Sequence, residues 1–476
     1  MIRLSNLPRT VAFLVQAAFT AALAIALAIV PAAAEGRAFG STLARSLYLR
    51  ASTAEVAPRA KSGAPAGAEV RAKVPSPAAA AFPQVRSDRT VAARYVITPD
   101  PEGRSLKVEA RMTLKEGTAV LKDFGQLKSI RWTIGGKNVD VPAERRQDAI
   151  IFGPWPVTGE ARIIYELACV TEPGPEYRKR LMGGRNFLLA REGLFLVPAG
   201  RERDLVEVRW DLPEGWKPAL GTQGTLPYIE TQRTIWAAGK LSSRVDETFA
   251  GSTFTIAALD DVSPLSALTS MEALKAAFRY AWATFGPLEG PTFGVVIFRR
   301  GALGGGTAFF HTLAAEESPS IAVHEMLHWW TNFTTPAWFR EGVHTYMATK
   351  LLEKLGIITP EELDAALKGF LREHAQVVKR EGRLSTLAES SVAYDRQTGG
   401  GDMYGLMPLL ASKLDREIRA TNPNASLEQV FAAAASKRLQ KFDLTALIKT
   451  LTGYDPGPLF AKYFYATVED AAGLLK

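Results

Sequence analysis

The sequence predicts a multidomain α+β protein with an antiparallel β domain, then a mixed domain of helices and strands, then a helical domain. Between residues 91 and 262, apolar and polar residues alternate in short runs such as Leu106–Met112 and Leu205–Trp210, and Gly, Pro and Asp separate these runs. This alternation is typical of antiparallel strands. After residue 263 the apolar residues recur at helical spacing. The predicted domains are therefore 91–262, 263–358 and 359–476.

Residues 1–34 have the layout of a secretory signal peptide. Arg3 and Arg9 form a basic start, residues 11–30 carry no charge, and Ala32-Ala33-Ala34 offers small residues for cleavage. The apolar run of about 20 residues is longer than the core of a usual signal peptide and is long enough to span a bilayer. We therefore expect export to the periplasm or the extracellular space, or retention by an N-terminal membrane anchor.

Residues 35–90 are rich in Ala, Pro, Arg and Lys and show no stable periodicity, so we interpret them as a linker. The net charge of the whole chain is +8. Arg3 and Arg9 contribute two positive charges and residues 35–93 contribute five, which leaves +1 for residues 94–476. Because the predicted folded part is nearly neutral, the charge does not predict nucleic-acid binding. The basic tail is instead suited to contact anionic lipid beside a membrane.

Regular elements can be predicted along the last two domains from the spacing of apolar residues. The mixed domain is expected to begin with an amphipathic helix at Leu268–Phe285 and a buried strand at Phe293–Phe298. Two more helices are expected at Pro319–Phe333 and Ala337–Leu355. In the last domain, helices are predicted at Glu361–Glu381, Met403–Arg419, Leu427–Ser436 and Asp443–Leu451.

The helix predicted at Pro319–Phe333 contains the HExxH motif, from His324 to His328. Residues four apart lie one turn along the same helix face, about 6 Å apart along the axis, so both imidazoles can reach one zinc ion. Glu325 lies beside them and is placed to take a proton from a water molecule at the metal. Zinc accepts two neutral nitrogens and a carboxylate and leaves a fourth position for water. The motif therefore predicts one Zn²⁺ per chain.

The third zinc ligand is expected from the next helix, which begins behind Pro336. A turn between the two helices would bring Glu341 back towards His324 and His328. His344 lies three residues after Glu341 on the same face, so it is an alternative third ligand or a hydrogen-bonding neighbour of the site. We favour Glu341 as the metal ligand and His344 as the neighbour.

These residues resemble a clan of zinc peptidases. The HExxH motif, Trp330, Asn332 and the pattern Trp-x-x-Glu-Gly-x-x-x-Tyr at Trp338–Tyr346 look like gluzincins of the aminopeptidase N type. A fuller similarity, to the glycyl aminopeptidase family, also involves Glu192–Pro198, Val206–Trp216 and Leu459–Phe464. The resemblance covers residues 91–476. It implies a thermolysin-like zinc catalytic domain at 263–358 and a peptide or protein substrate.

The resemblance also implies roles for further residues. Tyr404, at the start of a predicted helix, matches a tyrosine that stabilises the oxyanion in the family, and Tyr394 is the alternative. The glycine run Gly304-Gly305-Gly306 matches a substrate-binding strand, where glycines let a peptide backbone approach and pair with the strand edge.

Three features depart from the resemblance. The spacing from His328 to Glu341 is shorter than in the aminopeptidase N type. The strand around Gly304-Gly305-Gly306 has no glutamate in the register where aminopeptidases bind the substrate's free amine. The match also does not extend to the terminal PDZ module that the family often carries. The metal motif still predicts a zinc metallopeptidase. Because of these departures, the choice between exopeptidase and endopeptidase stays open.

Two other functions are compatible with the same pattern. One is a non-catalytic binding or scaffold protein built on a metallopeptidase fold, because a fold does not determine function. The intact HExxH motif and the third carboxylate argue against it. The other is a different zinc hydrolase activity, such as ester or epoxide hydrolysis, and no residue of the sequence selects it.

Overall fold

The structure is a computed structural model, and it describes most of residues 91–475. Within that range it leaves out 116, 123–125, 148, 171–181, 185–186, 191–193, 202, 221–223, 250, 260–261, 289–291, 299–302, 307–309, 317, 332–334, 382–384, 397–400, 437–442 and 469–470. The predicted signal or anchor segment and the linker lie outside the described residues. In the part of the chain that is described, no helix is both long and apolar enough to cross a membrane.

The first part of the chain consists almost entirely of strands. They are β1 (Ala93–Pro99), β2 (Ser105–Leu114), β3 (Ala119–Lys122), β4 (Leu127–Ile134), β5 (Lys137–Val139), β6 (Ala143–Arg146), β7 (Ala149–Phe152), β8 (Gly159–Ala168), β9 (Met182–Gly184), β10 (Phe187–Ala190), β11 (Leu196–Pro198), β12 (Leu205–Trp210), β13 (Lys217–Leu220), β14 (Gly224–Pro227) and β15 (Trp236–Gly239). One short helix, α1 (Tyr228–Arg233), precedes β15.

These strands form three sheets. The largest has seven strands in the order β14-β12-β1-β2-β8-β4-β5, and the others have the orders β11-β3-β7-β6 and β13-β15-β10-β9. Paired strands are antiparallel, as predicted, except for β1 and β12, which run parallel. Sequence alternation did not reveal this exception because side chains alternate with the same period in both kinds of pairing.

A further sheet follows in the chain. Its strands are β16 (Leu241–Phe249), β17 (Ser252–Leu259), β18 (Thr292–Phe298), β19 (Leu303–Gly306) and β20 (Phe310–Glu316), in the order β16-β17-β18-β20-β19. The central pairs are parallel, and the two outer pairs are antiparallel. Although β16 and β17 precede the predicted boundary at residue 262, they are hydrogen-bonded into this sheet. The domain boundaries themselves stay predictions.

Helices make up most of the rest of the chain. They are α2 (Pro264–Phe285), α3 (Pro319–Leu327), α4 (His344–Lys354), α5 (Pro360–Glu381), α6 (Leu387–Asp395), α7 (Leu406–Thr421), α8 (Leu427–Ser436), α9 (Leu444–Thr452) and α10 (Gly457–Tyr463). A π-helical turn, Trp338–Val343, runs directly into α4, and 3₁₀ turns occur at Gly401–Met403 and Ala471–Leu474. The predicted α+β class, with strands first and helices last, is confirmed.

Helix α3, which contains the HExxH motif, lies at the centre of this second region. It packs against α2, α4, β19 and β20. Its apolar residues Ala322, Val323, Met326 and Leu327 are fully buried in a core that the sheet and the helices share. Because the helix is held on several sides, its polar residues occupy defined positions relative to their neighbours.

Helix α3 ends earlier than predicted, at Leu327 instead of Phe333. The backbone N–H groups of His328, Trp329 and Trp330 each bind the carbonyl oxygen three residues earlier, at 3.2, 3.0 and 3.1 Å, so the last turn tightens. The Trp330 indole also donates a hydrogen bond to the carbonyl oxygen of Gly286 at 2.8 Å. The apolar spacing continues past the end of the helix because both tryptophans are buried, although they lie in a turn.

Candidate metal and catalytic site

The two histidines of the HExxH motif face each other on α3. His324 lies in the last turn of the helix and is buried, and His328 caps its end with helical backbone angles (φ −59°, ψ −20°). Their Nε2 atoms are 3.2 Å apart. The early end of the helix therefore does not disturb the one-turn spacing that the motif requires.

Glu341 returns to this pair from the π-helical turn, as the sequence predicts. Its Oε2 atom lies 3.5 Å from His324 Nε2 and 3.8 Å from His328 Nε2. Glu341 is buried, with 7% of the residue exposed. A π turn is a wide turn that recurs at functional sites, and here it projects Glu341 from the helix start towards α3.

The three side chains fit a single zinc ion. Their ligand atoms form a triangle with sides of 3.2, 3.5 and 3.8 Å. A point in that plane lies roughly 2.0 Å from all three atoms, which is the usual length of zinc bonds to imidazole nitrogen and carboxylate oxygen. His324, His328 and Glu341 are therefore close enough together to hold one zinc ion.

Glu341 is held in its ionised form. Burial acts to raise its pKa, but the hydrogen bond with His324, the charges of both histidines and the Tyr404 hydroxyl outweigh that effect and lower the pKa to about 2. An ionised carboxylate is the form that binds a metal ion.

Thr345 determines which nitrogen of His324 is available to a metal. Its Oγ1 lies 2.8 Å from the carbonyl oxygen of Glu341 and 3.1 Å from His324 Nδ1. The carbonyl oxygen can only accept, so it takes the single hydroxyl proton, and Thr345 must accept from His324 Nδ1–H. With Nδ1 engaged in this bond, Nε2 is the His324 nitrogen that faces Glu341 and His328 and would bind a metal ion. Sequence reasoning missed Thr345, although its position four residues after Glu341 places both on one helix face.

His344 lies next to the site without joining the triangle of ligand atoms. Its ring centre is 4.4 Å from that of His328, and its Nε2 is 2.9 Å from the Thr331 hydroxyl. The side chain is completely buried. Burial, with the nearby His328, His324 and Arg340, lowers the pKa of His344 well below its ordinary value, so the imidazole is neutral. This arrangement matches the neighbour role predicted for His344 better than the ligand role.

Glu325 supplies a second carboxylate to the site. One of its oxygens lies within 4.8 Å of the ligand nitrogens of His324 and His328. Glu325 is only partly buried, whereas Glu341 is buried. The buried carboxylate of Glu341 is suited to binding a metal, and the more exposed carboxylate of Glu325 is suited to exchanging protons with water.

Tyr404 reaches the site from the segment between α6 and α7. Its hydroxyl donates a hydrogen bond to Glu341 Oε2 at 2.8 Å, and the hydroxyls of Tyr394 and Tyr404 are 3.0 Å apart. Because the only hydroxyl proton of Tyr404 is given to Glu341, Tyr394 is the donor in the second bond. Burial, the Glu341 carboxylate and Tyr394 raise the pKa of Tyr404 well above its ordinary value, so it remains a hydrogen-bond donor.

Helix α6, which carries Tyr394, also caps the turn that presents Glu341. The Ser391 hydroxyl accepts the N–H of Trp338 at 3.1 Å, and Asp395 accepts an Arg340 guanidinium N–H at 2.8 Å. N–H groups at a helix start lack partners within the helix, so acceptors from another element stabilise it. This cap joins the Glu341 turn and the two tyrosines in one packed unit, which apolar spacing alone does not predict.

The predicted substrate-binding residues Gly304, Gly305 and Gly306 form β19, at the edge of the five-stranded sheet. Gly306 pairs with His311 and Gly304 with Leu313 on β20. Among the strands that the structure describes, none pairs with the other side of β19. Since β19 also contacts α3, this edge strand lies beside the HExxH helix.

Solved structures share this architecture. The chain is similar to the aminopeptidase N family protein from Idiomarina loihiensis, with a TM-score of 0.61 and 14% sequence identity, over 80% of this chain and 78% of that chain. The fold is that of an aminopeptidase N family protein. An M1 zinc metallopeptidase from Deinococcus radiodurans is similar with a TM-score of 0.46 and 17% identity, over 77% of this chain and 91% of that chain. No protein-family model and no curated protein matches the chain. The resemblance that the motifs predict is confirmed for the fold.

Proposed function

We propose that this chain is a zinc-dependent peptide hydrolase of the gluzincin type. The observation that carries the proposal is the triangle of ligand atoms from His324, His328 and Glu341, with sides of 3.2 to 3.8 Å. Glu325 and Tyr404 lie next to it. The similarity of the fold to an aminopeptidase N family protein also supports the proposal. Fold similarity and the distances between the ligand atoms are separate observations.

The residues divide the chemistry between them. Zinc supplies Lewis acidity, which polarises a carbonyl group and lowers the pKa of water. Glu325 takes the proton of the attacking water and passes it to the leaving amine. Tyr404, whose single hydroxyl proton is given to Glu341 in this structure, would turn it to the oxygen that gains negative charge, a contribution of about 3 kcal/mol for comparable donors. His344 packs against His328 and keeps its ring in place.

The proposed substrate is a peptide or a protein. Its backbone would pair with the outer edge of β19 at Gly304–Gly306, and glycines allow that close approach. Because this strand carries no carboxylate, we propose cleavage that does not require a free amino terminus. The signal-like residues 1–34 lead us to propose that the activity is located outside the cytoplasm, either free or attached to the membrane.

Metal analysis combined with two substitutions tests the proposal. Protein purified without chelator should contain about one zinc per chain. Glu325→Gln should retain that zinc but lose at least roughly 100-fold in kcat on a peptide mixture, because the amide cannot take the water's proton. Glu341→Gln should instead weaken zinc retention.

Glu353→Gln is the matched control, since Glu353 lies on α4 and pairs with Lys350 instead of with site residues. It should change neither zinc content nor kcat. Protein that neither retains nor regains zinc would refute the proposal. If Glu325→Gln lost zinc and Glu341→Gln kept it, the roles of the two carboxylates would be reversed.

A further inference from the structure

A buried histidine–aspartate pair lies in the helical region, outside the metal site. His374 Nδ1 is 2.9 and 3.1 Å from the two carboxylate oxygens of Asp402. His374 is 7% exposed and Asp402 is 4% exposed. Because an ionised carboxylate only accepts hydrogen bonds, His374 Nδ1–H is the donor. The bond ties helix α5 to the 3₁₀ turn Gly401–Met403.

Tyr404 directly follows that turn, and Gly405 follows Tyr404. A Cβ atom on Gly405 would lie 2.9 Å from the backbone nitrogen of His374 and 3.2 Å from Asp402 Oδ1, which is closer than side chains normally tolerate. The backbone is therefore held against His374 on both sides of Tyr404. Before Tyr404 the contact is the hydrogen bond of Asp402, and after it the contact is the close packing of Gly405.

These contacts matter because Tyr404 stands between two helices without being part of either. Helix α6 ends at Asp395, and Tyr404 and Gly405 lie between the 3₁₀ turn Gly401–Met403 and α7, which begins at Leu406. Its hydroxyl must nevertheless stay within hydrogen-bond reach of the reacting centre. A displacement of about 1 Å in a catalytic group can cost roughly 100-fold in rate.

We propose that His374 and Asp402 are positioning residues for Tyr404. The pair holds the short turn that presents the tyrosine and thereby sets the distance from its hydroxyl to the reacting carbonyl. This inference rests on the proposed role of Tyr404 as the oxyanion donor. It assigns a catalytic consequence to a buried pair that does not touch the metal ligands.

The test uses the zinc-loaded full chain and an internally quenched peptide. Replacing both partners, His374→Phe with Asp402→Leu, removes the hydrogen bond, keeps a planar ring and a branched side chain at the two positions and leaves no carboxylate buried alone. We expect kcat to fall roughly 10- to 100-fold, with KM and zinc content unchanged. The single variant His374→Asn, in which Asp402 is kept, has an amide N–H close to the position of Nδ1. It should therefore retain most of the wild-type kcat.

A Tyr404→Phe background separates positioning from general stability. If the pair acts through Tyr404, adding the double substitution to Tyr404→Phe should cause no further loss of kcat. Asp443→Ala serves as the control: it removes the cap of α9, where Asp443 accepts the N–H groups of Thr445 and Ala446. It should lower the melting temperature and leave kcat unchanged.

The other outcomes overturn the inference in distinguishable ways. An unchanged kcat in the double variant, or an equal loss with and without the Tyr404 hydroxyl, would show that the pair has only a structural role. A fully active Tyr404→Phe enzyme would refute the proposed role of Tyr404, and the positioning role would be refuted with it.

Discussion

Gly342 packs directly against Met407. A Cβ atom placed on Gly342 would lie 2.3 Å from the Met407 Cβ and 3.4 Å from its carbonyl carbon. Gly342 directly follows Glu341, and Met407 lies in the first turn of α7, just after Tyr404. The missing side chain therefore lets the two segments approach until the Tyr404 hydroxyl is 2.8 Å from Glu341 Oε2.

This contact predicts that Gly342→Ala disrupts the site. The added methyl group must displace the π turn or α7, and overpacking of this kind costs about 1–3 kcal/mol of stability. We expect a lower melting temperature and weaker zinc retention, measured by calorimetry and by metal analysis after dialysis. Adding Met407→Gly, which removes the clashing atom, should recover part of the zinc retention but not the melting temperature, because it also deletes a buried side chain from a helix. A single variant with wild-type stability and zinc content would contradict the prediction.

The hydrogen bonds of Thr345 predict a specific effect on zinc affinity. Thr345→Val keeps the shape but removes the oxygen that accepts from His324 Nδ1, so zinc should bind about 10- to 100-fold more weakly. Thr345→Ser should bind zinc like the wild type. The measurement is competition with a chelator of known affinity.

Thr349→Val is the control, since Thr349 lies one turn further along α4 and its hydroxyl donates only to the carbonyl oxygen of Thr345. This variant should leave zinc affinity unchanged. Equal affinities for Thr345→Val and Thr345→Ser would show that Thr345 does not select the histidine tautomer.

Substrate selection provides another prediction. The strand Gly304–Gly306 carries no carboxylate that could pair with a substrate ammonium group, and an unpaired charge in a partly buried cleft is unfavourable. Acetylating the amino terminus of an internally quenched peptide should therefore change kcat/KM by less than about tenfold, or 1.4 kcal/mol. A larger loss on acetylation would show that the protein recognises a free amine.

The first 34 residues predict export. N-terminal sequencing of the mature protein should find Glu35 or a residue close to it, because Ala32-Ala33-Ala34 suits signal cleavage. An intact Met1 in the membrane fraction would support the anchor reading instead. An intact, freely soluble protein in the cytoplasm would exclude both.

Local rules were sufficient for the catalytic motif. His324, Glu325 and His328 lie within about one turn of one helix, so the helical period alone predicts that the two imidazoles share a face. The order of strands and helices was predictable for the same reason, since each element has its own apolar period. Glu341 was predictable as a candidate ligand because a turn between two successive helices brings the second helix back alongside the first, where the two histidines lie.

Only the tertiary structure decided how the site is completed. Glu341 reaches the histidines because the π turn packs on Met407, a contact between residues far apart in the chain. Three features of the site depend on contacts between separate elements. They are the placement of Glu341 and His344, the hydrogen bond between Thr345 and His324, and the pair His374–Asp402. Apolar periodicity records which face of an element is buried and not which element covers it, so these contacts follow from packing and not from local sequence.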